Sequence, residues 1–466
     1  MRDPGDVLLV ACYELGHQPL AVAWPAAVLE RRGYHPALLD LSVAPFDPDQ
    51  AARARVVAIA VPMHTALRIG LALLERLRDV NPGGHVCFYG LYAGLNAAYL
   101  LGRGADSVIA GEAEEPLAAL IEALAAGADW RAVPGVGSAG RPAPAHLSRP
   151  SLPAPSRSAL PPLERYVHLE HAGRQTPAGY VEASRGCLHL CRHCPIPPVY
   201  GGRFFAVPVE VCLADARQQI AAGARHITFG DPDFLNGPTH ALRVARALHG
   251  EFPDVTFDFT AKIEHLLRHR ALLPELGALG GLFVVSAAES LSDTVLGHLD
   301  KGHKRADVLG ALSAVRAAGM AFRPTWVAFT PWTTLEDYRE LLDFIDAEGL
   351  VDHVDPVQYG LRLLVPPGSL LLDHAGMQPH LTGLVEAELS HRWRHPDPRM
   401  DQLCAEVGAA VASAAARKED AVVTFERVRA LADAAAGGEP VPAPVRAGGA
   451  PRDRTRAPRL TEAWFC

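Results

Sequence analysis

The chain has 466 residues, 49% of them hydrophobic, and a formal net charge of −8 at pH 7. This length allows two or three domains with sizeable cores, and the acidic balance provides no basic surface, which disfavours a nucleic-acid partner. Because no apolar run of about 18 residues occurs, we expect no membrane span and no membrane partner. The eight cysteines are too sparse for a disulfide scaffold, which favours a reducing, cytoplasmic location.

Residues 1–130 alternate strand-like apolar runs with helical segments. The first strand is predicted at 7–11, and a helix over 20–32 is predicted to end at Gly33, since glycine commonly follows helix C-termini. This regular alternation of strands and helices predicts a doubly wound α/β domain with a parallel sheet. In such domains ligands bind at the carboxyl ends of the strands. Residues 131–170, rich in Pro, Ala, Ser and Arg, are interpreted as a linker.

The most informative motif is C-x3-C-x2-C, formed by Cys187, Cys191 and Cys194. Three thiolates on one short loop can ligate three irons of a [4Fe-4S] cluster and leave the fourth iron open for a small molecule. Gly186, directly before the first cysteine, permits a tight turn at the end of a predicted strand. The residues alone leave two alternatives open, namely ordinary buried thiols or a zinc site completed by His189 or His193.

The cysteine motif, its position after a strand and the sequence downstream resemble the radical S-adenosylmethionine (SAM) superfamily. The resemblance covers most of residues 5–375 and implies that residues 171–375 form a partial (β/α)6 TIM-type barrel. It implies a [4Fe-4S] cluster and SAM as cofactors, with SAM bound at the open iron. An electron donor such as flavodoxin or ferredoxin would supply the electron that cleaves SAM, and the substrate would be a small molecule inside the barrel.

The same resemblance assigns a SAM seat. The turn from Gly230 through Asp231 to Asp233 is expected to bind the SAM ammonium group, which needs acceptors. Ser286 or Glu289, near the end of a later strand, is expected at the ribose or methionyl group. From the residues alone, an Asp-Pro turn and a structural ion pair of Glu289 at the barrel rim are the alternatives.

Three further side chains are assigned by the resemblance. His193 stands where relatives carry an aromatic residue against the adenine. Lys262 matches a position where relatives have a cation near SAM or substrate, and Arg323, at a strand start, is expected to bind an anionic group. The alternatives are a solvated helix surface for Lys262 and an exposed ion pair for Arg323.

Residues 1–130 also resemble the cobalamin-binding domain that precedes many radical SAM domains. The resemblance rests on the turn at 81–84 and on the segment 111–116. The D-x-H-x-x-G signature of a histidine cobalt ligand is absent, and His17 and His64 are interpreted as solvated loop histidines. Cobalamin could bind without a histidine ligand, or the domain could be a structural relic, and the missing signature favours the relic.

Beyond the barrel, residues 376–436 are predicted to form a helical extension and residues 437–466 a flexible tail that ends in Cys466. The cysteine loop resembles that of a narrower group, the radical SAM proteins with a CUAEP or CCAEP tail, some of which are selenoproteins. One hypothesis is that the chain is truncated at a UGA codon after Cys466, which was read as a stop codon. The alternative is that the codon after Cys466 is a genuine stop codon. A UAA or UAG codon at that position would exclude the first.

The main functional hypothesis is a radical SAM enzyme that cleaves SAM reductively at a [4Fe-4S] cluster and acts on an unknown small molecule. One alternative is a cobalamin-dependent radical methyltransferase. Another is transfer of the aminocarboxypropyl group of SAM to a soft element such as arsenic, with Cys466 as a catalytic soft ligand. The remaining hypothesis is that the protein is not an enzyme but a sensor that binds a metal or a cluster.

Overall fold

The computed structural model describes residues 1–149, 151–437 and 456–462. Cys466 and most of the predicted tail lie outside the described residues. The chain folds into two α/β units, as the alternation of strands and helices predicts. Among the helices of the described residues, none has both the length and the apolar character that a membrane crossing requires.

The first unit is a six-stranded sheet with helices on both faces. Its strands are β1 (Val7–Ala11), β2 (Ala37–Asp40), β3 (Val56–Ala60), β4 (His85–Tyr89), β5 (Ser107–Ile109) and β6 (Val136–Gly137). Its helices are α1 (Leu20–Arg31), α2 (Pro48–Arg53), α3 (His64–Val80), α4 (Leu91–Leu95), α5 (Ala97–Gly102) and α6 (Glu114–Ala126).

The order of strands in this sheet is β2-β1-β3-β4-β5-β6. All pairings are parallel except the antiparallel pairing of β5 with β6. Strand β6 belongs to the segment predicted to be a linker. Strands β1 and β3 are buried along their whole length, because a separate apolar cluster lies on each face of the sheet. The carboxyl ends of β1, β3 and β4 therefore share one edge.

The second unit contains the cysteine motif. Its strands are β7 (His168–His171), β8 (Arg174–Val181), β9 (Ser184–Gly186), β10 (Phe204–Ala206), β11 (His226–Phe229), β12 (Thr256–Thr260), β13 (Gly281–Glu289) and β14 (Ala321–Trp326). Its helices are α7 (Ile196–Tyr200), α8 (Val209–Ala221), α9 (Pro238–Glu251), α10 (Ile263–Arg268), α11 (Leu273–Ala278), α12 (Asp293–Leu299), α13 (Arg305–Ala317) and α14 (Leu335–Ala347).

The C-terminal part begins with a hairpin. Its elements are β15 (Leu381–Val385), β16 (Ser390–Trp393), α15 (Pro398–Ala416), α16 (Ala421–Ala435) and β17 (Arg459–Leu460). The prediction of a helical extension is therefore wrong for residues 381–393. Gly383 and Leu389 have φ values of 121° and 52°, which a helix does not accommodate, and Trp393 is buried and donates to the Leu363 carbonyl at 2.8 Å.

The main sheet of the second unit is an open half-barrel. Its strand order is β14-β13-β12-β11-β8-β7-β17. Strands β8 and β11 to β14 are parallel, whereas β7 is antiparallel to β8 and β17 is antiparallel to β7. In the described residues, the expected sixth parallel strand is reduced to a single bridge between Phe329 and Arg362.

The β1–α1 loop packs onto the half-barrel. His17 in this loop is only 3% exposed, and its ring stacks on Tyr180 of β8 at 4.5 Å. Burial lowers the pKa of His17 to about 3, so the expectation of a solvated His17 is wrong. His64 is half-buried, with Nε2 2.8 Å from the Glu388 carbonyl oxygen.

Arg157 lies in the segment that joins the two units and bonds to both of them. Its Nε and Nη2 donate to the two carboxylate oxygens of Asp215 on α8, at 2.5 and 2.8 Å. Its Nη1 donates to the Gln18 carbonyl at 3.1 Å, and Nη2 donates to the Tyr180 carbonyl at 2.8 Å. Both side chains of the ion pair are buried, so this arginine fixes the first unit against the barrel.

We expect Arg157→Leu to lower the free energy of unfolding by about 3–5 kcal/mol, because the Asp215 carboxylate would be left buried without its partner. Urea denaturation of the full chain measures this change. The matched control is Arg217→Ala, which breaks an exposed pair with Glu251 at 2.6 Å and should change the stability much less, because solvent screens such pairs. Equal losses in the two variants would contradict the prediction.

Candidate active site

The cysteine loop begins at the carboxyl end of β8. Strands β9 and β10 pair in antiparallel fashion at its two ends and so frame the loop. Gly186 has a φ of 75°, and a Cβ added there would lie 2.4 Å from the carbonyl oxygen of Arg203. A tight turn that requires glycine at this position is therefore confirmed.

The three thiols of the loop are held close to one another but are not clustered as in a single-ion site. Cys187 and Cys191 are buried and Cys194 is half-buried. Their sulfur atoms do not all lie within 4.8 Å of one another, whereas thiolates around one zinc ion lie about 3.8 Å apart. The three sulfur atoms are therefore not arranged as three ligands of one zinc ion. Burial raises the pKa of Cys194 to about 12. Because ligation requires the thiolate form, a positively charged metal centre must stabilise the deprotonated sulfur.

Buried polar atoms without partners surround the loop. Asn236 accepts from the Leu188 backbone N–H at 3.2 Å, and its Oδ1 lies 3.9 Å from the Cys187 sulfur. Its Nδ2 has no partner, and neither does Nδ1 of His193 or of His303. Buried polar groups are normally satisfied, so this site fits a polar ligand such as SAM. No sequence pattern indicates Asn236.

Glu289 lies at the centre of a buried ion pair beside the loop. It ends β13 with a φ of 64°, next to an irregularity in the register with β14. Its Oε1 lies 3.2 Å from His193 Nε2 and 3.3 Å from Lys301 Nζ. Burial raises the pKa of Glu289, but Lys301 and His193 outweigh this and lower it to about 2. A charged carboxylate thus joins the cysteine loop to the α12–α13 turn.

Asp231 braces the strand that leads into the cysteine loop. Its carboxylate accepts the Ala183 N–H at 2.9 Å and the Ser184 hydroxyl at 2.5 Å. Burial raises its pKa to about 7, although these hydrogen bonds act in the opposite direction. At Gly230 a Cβ would lie 2.1 Å from the Tyr180 ring, so glycine allows the turn to pack against β8. The assignment of this turn to the SAM ammonium group stays a prediction.

Asp233 is fully buried and contacts the loop from the other side. Its Oδ1 accepts the Leu235 N–H at 2.9 Å. Its Oδ2 lies 2.9 Å from Nδ1 of His265 on α10 and 3.6 Å from Nε2 of His189 in the loop. The carboxylate already has protein partners, and its role toward SAM is likewise still a prediction.

Ser286 and Lys262 meet at the carboxyl end of β12. The Ser286 hydroxyl is fully buried and donates to the Ala261 carbonyl at 2.6 Å. Lys262 is the next residue, and its side chain is buried rather than solvated, with Nζ 3.8 Å from Glu264 Oε2. Both residues therefore lie at the edge of the sheet that carries the cysteine loop.

Arg323 contacts a different part of the barrel. It is buried near the start of β14, where Nη2 lies 3.2 Å from Asp355 Oδ1. Its Nη1 donates to the Pro458 carbonyl at 3.3 Å. These contacts connect Arg323 to the segment before β17, and none of them involves the cysteine loop.

Arg185 connects the cysteine loop to the first unit. Its Nη1 lies 2.6 Å from Glu112 and its Nη2 lies 2.7 Å from Glu114, at the start of α6. Its Nε lies 3.1 Å from Glu182, and the guanidinium stacks 4.2 Å above the ring of Trp24. The segment 111–116 stands out in the sequence, but its partner Arg185 does not, because the two are separated by 73 residues in the chain.

A cavity separates the two units next to this arginine. The cavity is open to solvent on one side and has a volume of about 280 Å³. The first unit lines it with the carboxyl ends of β1, β3 and β4 and with Met63, and the barrel lines it with Tyr180, Glu182 and the Gly230 turn. The ligand-binding edges of both sheets therefore face the same space.

Two carboxyl groups of this cavity have raised pKa values. Burial raises the pKa of Glu14 to about 8, although its carboxylate accepts the N–H groups of Leu20 and Ala21. Burial also raises the pKa of Glu182 to about 7, against the opposing effect of Arg185. Both groups can therefore exchange protons near neutral pH, which is a property of functional sites.

Two protein-family models match the chain. The B12-binding domain matches residues 7–121, and the Radical SAM superfamily matches residues 181–345. These matches agree with the two resemblances noted in the sequence. Because residues 7–121 match the B12-binding domain, the absence of the histidine signature does not justify interpreting this domain as a structural relic.

Curated relatives match over part of their length. A ribosomal protein uS12 methylthiotransferase RimO from Desulforamulus reducens is 24% identical over 247 residues, covering 49% of this chain and 52% of that protein. An uncharacterized methyltransferase from Pyrococcus horikoshii is 22% identical, covering 64% of each chain. The chain thus spans about half to two thirds of these relatives.

Solved structures share the fold. The cobalamin-dependent SAM radical enzyme OxsB, with aqua-cobalamin and SAM bound, has a TM-score of 0.72 at 14% identity, covering 88% of this chain and 67% of that one. The radical SAM methyltransferase TsrM from Kitasatospora setae, with cobalamin and a [4Fe-4S] cluster bound, has a TM-score of 0.60 at 17% identity, covering 73% of each chain.

We expect Lys301→Met to destabilise the chain by about 3 kcal/mol near neutral pH, because Glu289 would lose its buried partner. In the wild type the lowered pKa of Glu289 contributes stability above its ordinary pKa of 4.5, and this contribution is lost as the pH falls toward 2. The difference between the two proteins should therefore shrink on acidification. Denaturant unfolding at several pH values measures it, and a constant difference would contradict the ion pair.

Proposed function

Because the chain carries a B12-binding domain followed by a radical SAM domain, it is a radical SAM enzyme, and we propose that it is cobalamin-dependent and transfers a methyl group to a small molecule. The observation that carries this proposal is the cavity between the two units. A ligand on the carboxyl edge of the first sheet and a ligand at the cysteine loop would meet in this space.

The cofactors divide between the two units. When bound, the cluster supplies the electron that cleaves SAM, and cobalamin supplies a carrier for the methyl group. In the proposed site Cys187, Cys191 and Cys194 hold the cluster. The unpaired polar atoms of Asn236 and His193 bind SAM next to the loop. The residues at the carboxyl ends of β1, β3 and β4 would hold the corrinoid.

The residues of the cavity position the acceptor and handle its proton. Adding a methyl group to an N–H position releases one proton, whereas at a C–H position that forms a radical the hydrogen atom leaves in 5′-deoxyadenosine and no proton is released. Glu182 lies in the cavity and has a pKa of about 7, so it can accept this proton near neutral pH. The Tyr180 ring and the apolar ends of the strands exclude water from the acceptor.

The external electron donor, a flavodoxin or ferredoxin in our proposal, approaches the cysteine loop from solvent. Leu188 and Leu190 of this loop are 46% and 53% exposed. Exposed apolar side chains of this size are typical of protein contact surfaces, and these two lie between the first two cysteines.

The test is anaerobic reconstitution of the cluster, followed by SAM, a reductant and aquacobalamin, with the products identified by mass spectrometry. Methyl transfer predicts S-adenosylhomocysteine, together with 5′-deoxyadenosine when a substrate radical is formed. Formation of 5′-methylthioadenosine as the main product would instead support aminocarboxypropyl transfer and contradict the proposal.

We expect Cys191→Ala to abolish both the cluster absorbance and all reductive SAM cleavage, because one of the three iron ligands is lost. Cys212→Ala is the matched control, since Cys212 is a buried thiol of α8 that packs in the barrel core. SAM cleavage that persists in the Cys191 variant would refute the ligand assignment.

We expect Met63→Trp to weaken aquacobalamin binding about tenfold, because the larger side chain fills the cavity at the end of β3. Met63 has extended backbone geometry, with φ −143°, so tryptophan introduces no backbone strain. Retention of the corrinoid absorbance after gel filtration measures the change. Val80→Trp, at the exposed far end of α3, is the control. Unchanged binding in the Met63 variant would contradict a corrinoid in the cavity.

A further inference from the structure

Three potential metal ligands meet directly beside the cysteine loop. Nε2 of His189 lies 3.5 Å from Nδ1 of His265. Oδ2 of Asp233 lies 2.9 Å from His265 Nδ1 and 3.6 Å from His189 Nε2. Among the described residues, these form the one trio of His, Cys, Asp or Glu whose ligand atoms all lie within 4.8 Å of one another.

These distances match those between ligands of one metal ion. With metal–ligand bonds of about 2.1 Å, neighbouring ligand atoms lie about 3.0 Å apart in octahedral geometry and about 3.4 Å apart in tetrahedral geometry. The three side chains come from separate segments, namely the cysteine loop, the turn after β11 and α10. The fold therefore brings together two imidazoles and one carboxylate, a donor set that suits divalent transition metals.

The surroundings also fit a metal site. Asp233 is completely buried and the His265 side chain is 4% exposed, so solvent does not screen them. Glu264 Oε2 lies 3.7 Å from His189 Nδ1, which is too far for a hydrogen bond but adds a negative charge beside the site. Burial raises the pKa of Asp233, but the hydrogen bonds with the two histidines outweigh this and lower it, so the carboxylate is ionised.

We propose that His189, Asp233 and His265 bind one divalent transition-metal ion, such as Zn²⁺, separate from the iron–sulfur cluster. Three protein ligands leave at least one coordination position for water or for a donor atom of the substrate. Because His189 lies between two of the cluster cysteines, this ion would lie next to the cluster loop. The proposal does not depend on cobalamin or on methyl transfer.

The experiment measures zinc in the full-length protein after anaerobic cluster reconstitution. The protein is incubated with Zn²⁺ and desalted, and its zinc and iron are counted by plasma mass spectrometry. We expect about one zinc per chain in addition to the cluster iron. His265→Gln and His189→Gln should each weaken Zn²⁺ binding at least about tenfold, while the iron content stays unchanged.

His269→Ala is the matched control, because its ring centroid lies 5.6 Å from that of His265 but the residue does not belong to the trio. It should keep the zinc. Should His265→Gln fail to fold, His189→Gln gives the same readout, since its side chain is on the loop surface and 13% exposed. Two results would overturn the proposal: equal zinc content in the wild type and both glutamine variants, or loss of zinc only together with iron. The three side chains would then form only a hydrogen-bonded group around the Asp233 carboxylate.

Discussion

The arrangement of the whole site depends on one guanidinium, that of Arg185. Burial lowers its pKa, but Glu114 and Glu112 outweigh this and raise it well above its usual value. The arginine is therefore charged wherever the protein is folded. The two carboxylates belong to the first unit, and the arginine directly precedes the glycine that opens the cysteine loop. A buried charge must be matched by its partners, so the loop cannot move away from the first unit without leaving charges unpaired.

This constraint explains why the cavity exists between the units. The acidic side chains at the start of α6 hold the barrel at a fixed position over the carboxyl edge of the first sheet. Arg157 adds a second connection from the linker to both units. The methyl transfer that we propose between the two units would require closely fixed distances, and buried ion pairs with hydrogen bonds provide such rigidity.

The sequence was sufficient for the architecture because strand and helix periodicity and turn glycines are local properties. The cysteine spacing and Gly186 identified the loop for the same reason. The pairing of Arg185 with Glu112, the burial of His17 and the contact of Asn236 with the loop depend on which surfaces the fold brings together, and no local pattern encodes that. Arg323, expected from the sequence to bind an anionic group, contacts the Asp355 carboxylate and the Pro458 carbonyl, and its role toward a ligand stays a prediction. The hairpin at 381–393 was missed because its apolar residues resemble those of a helix.

The pairing of β17 with β7 has a consequence for the order in which the chain folds. Arg459 contacts Glu170 across 289 residues of sequence, and Leu460 packs in a small apolar cluster with Leu169 and Phe283. Contacts of such large separation form late, because a long loop must close before they contribute. Until then β7 is an open edge strand, able to pair with the same edge of another molecule. Completion of the sheet by β17 therefore also removes a site at which the half-barrel could associate with a second copy.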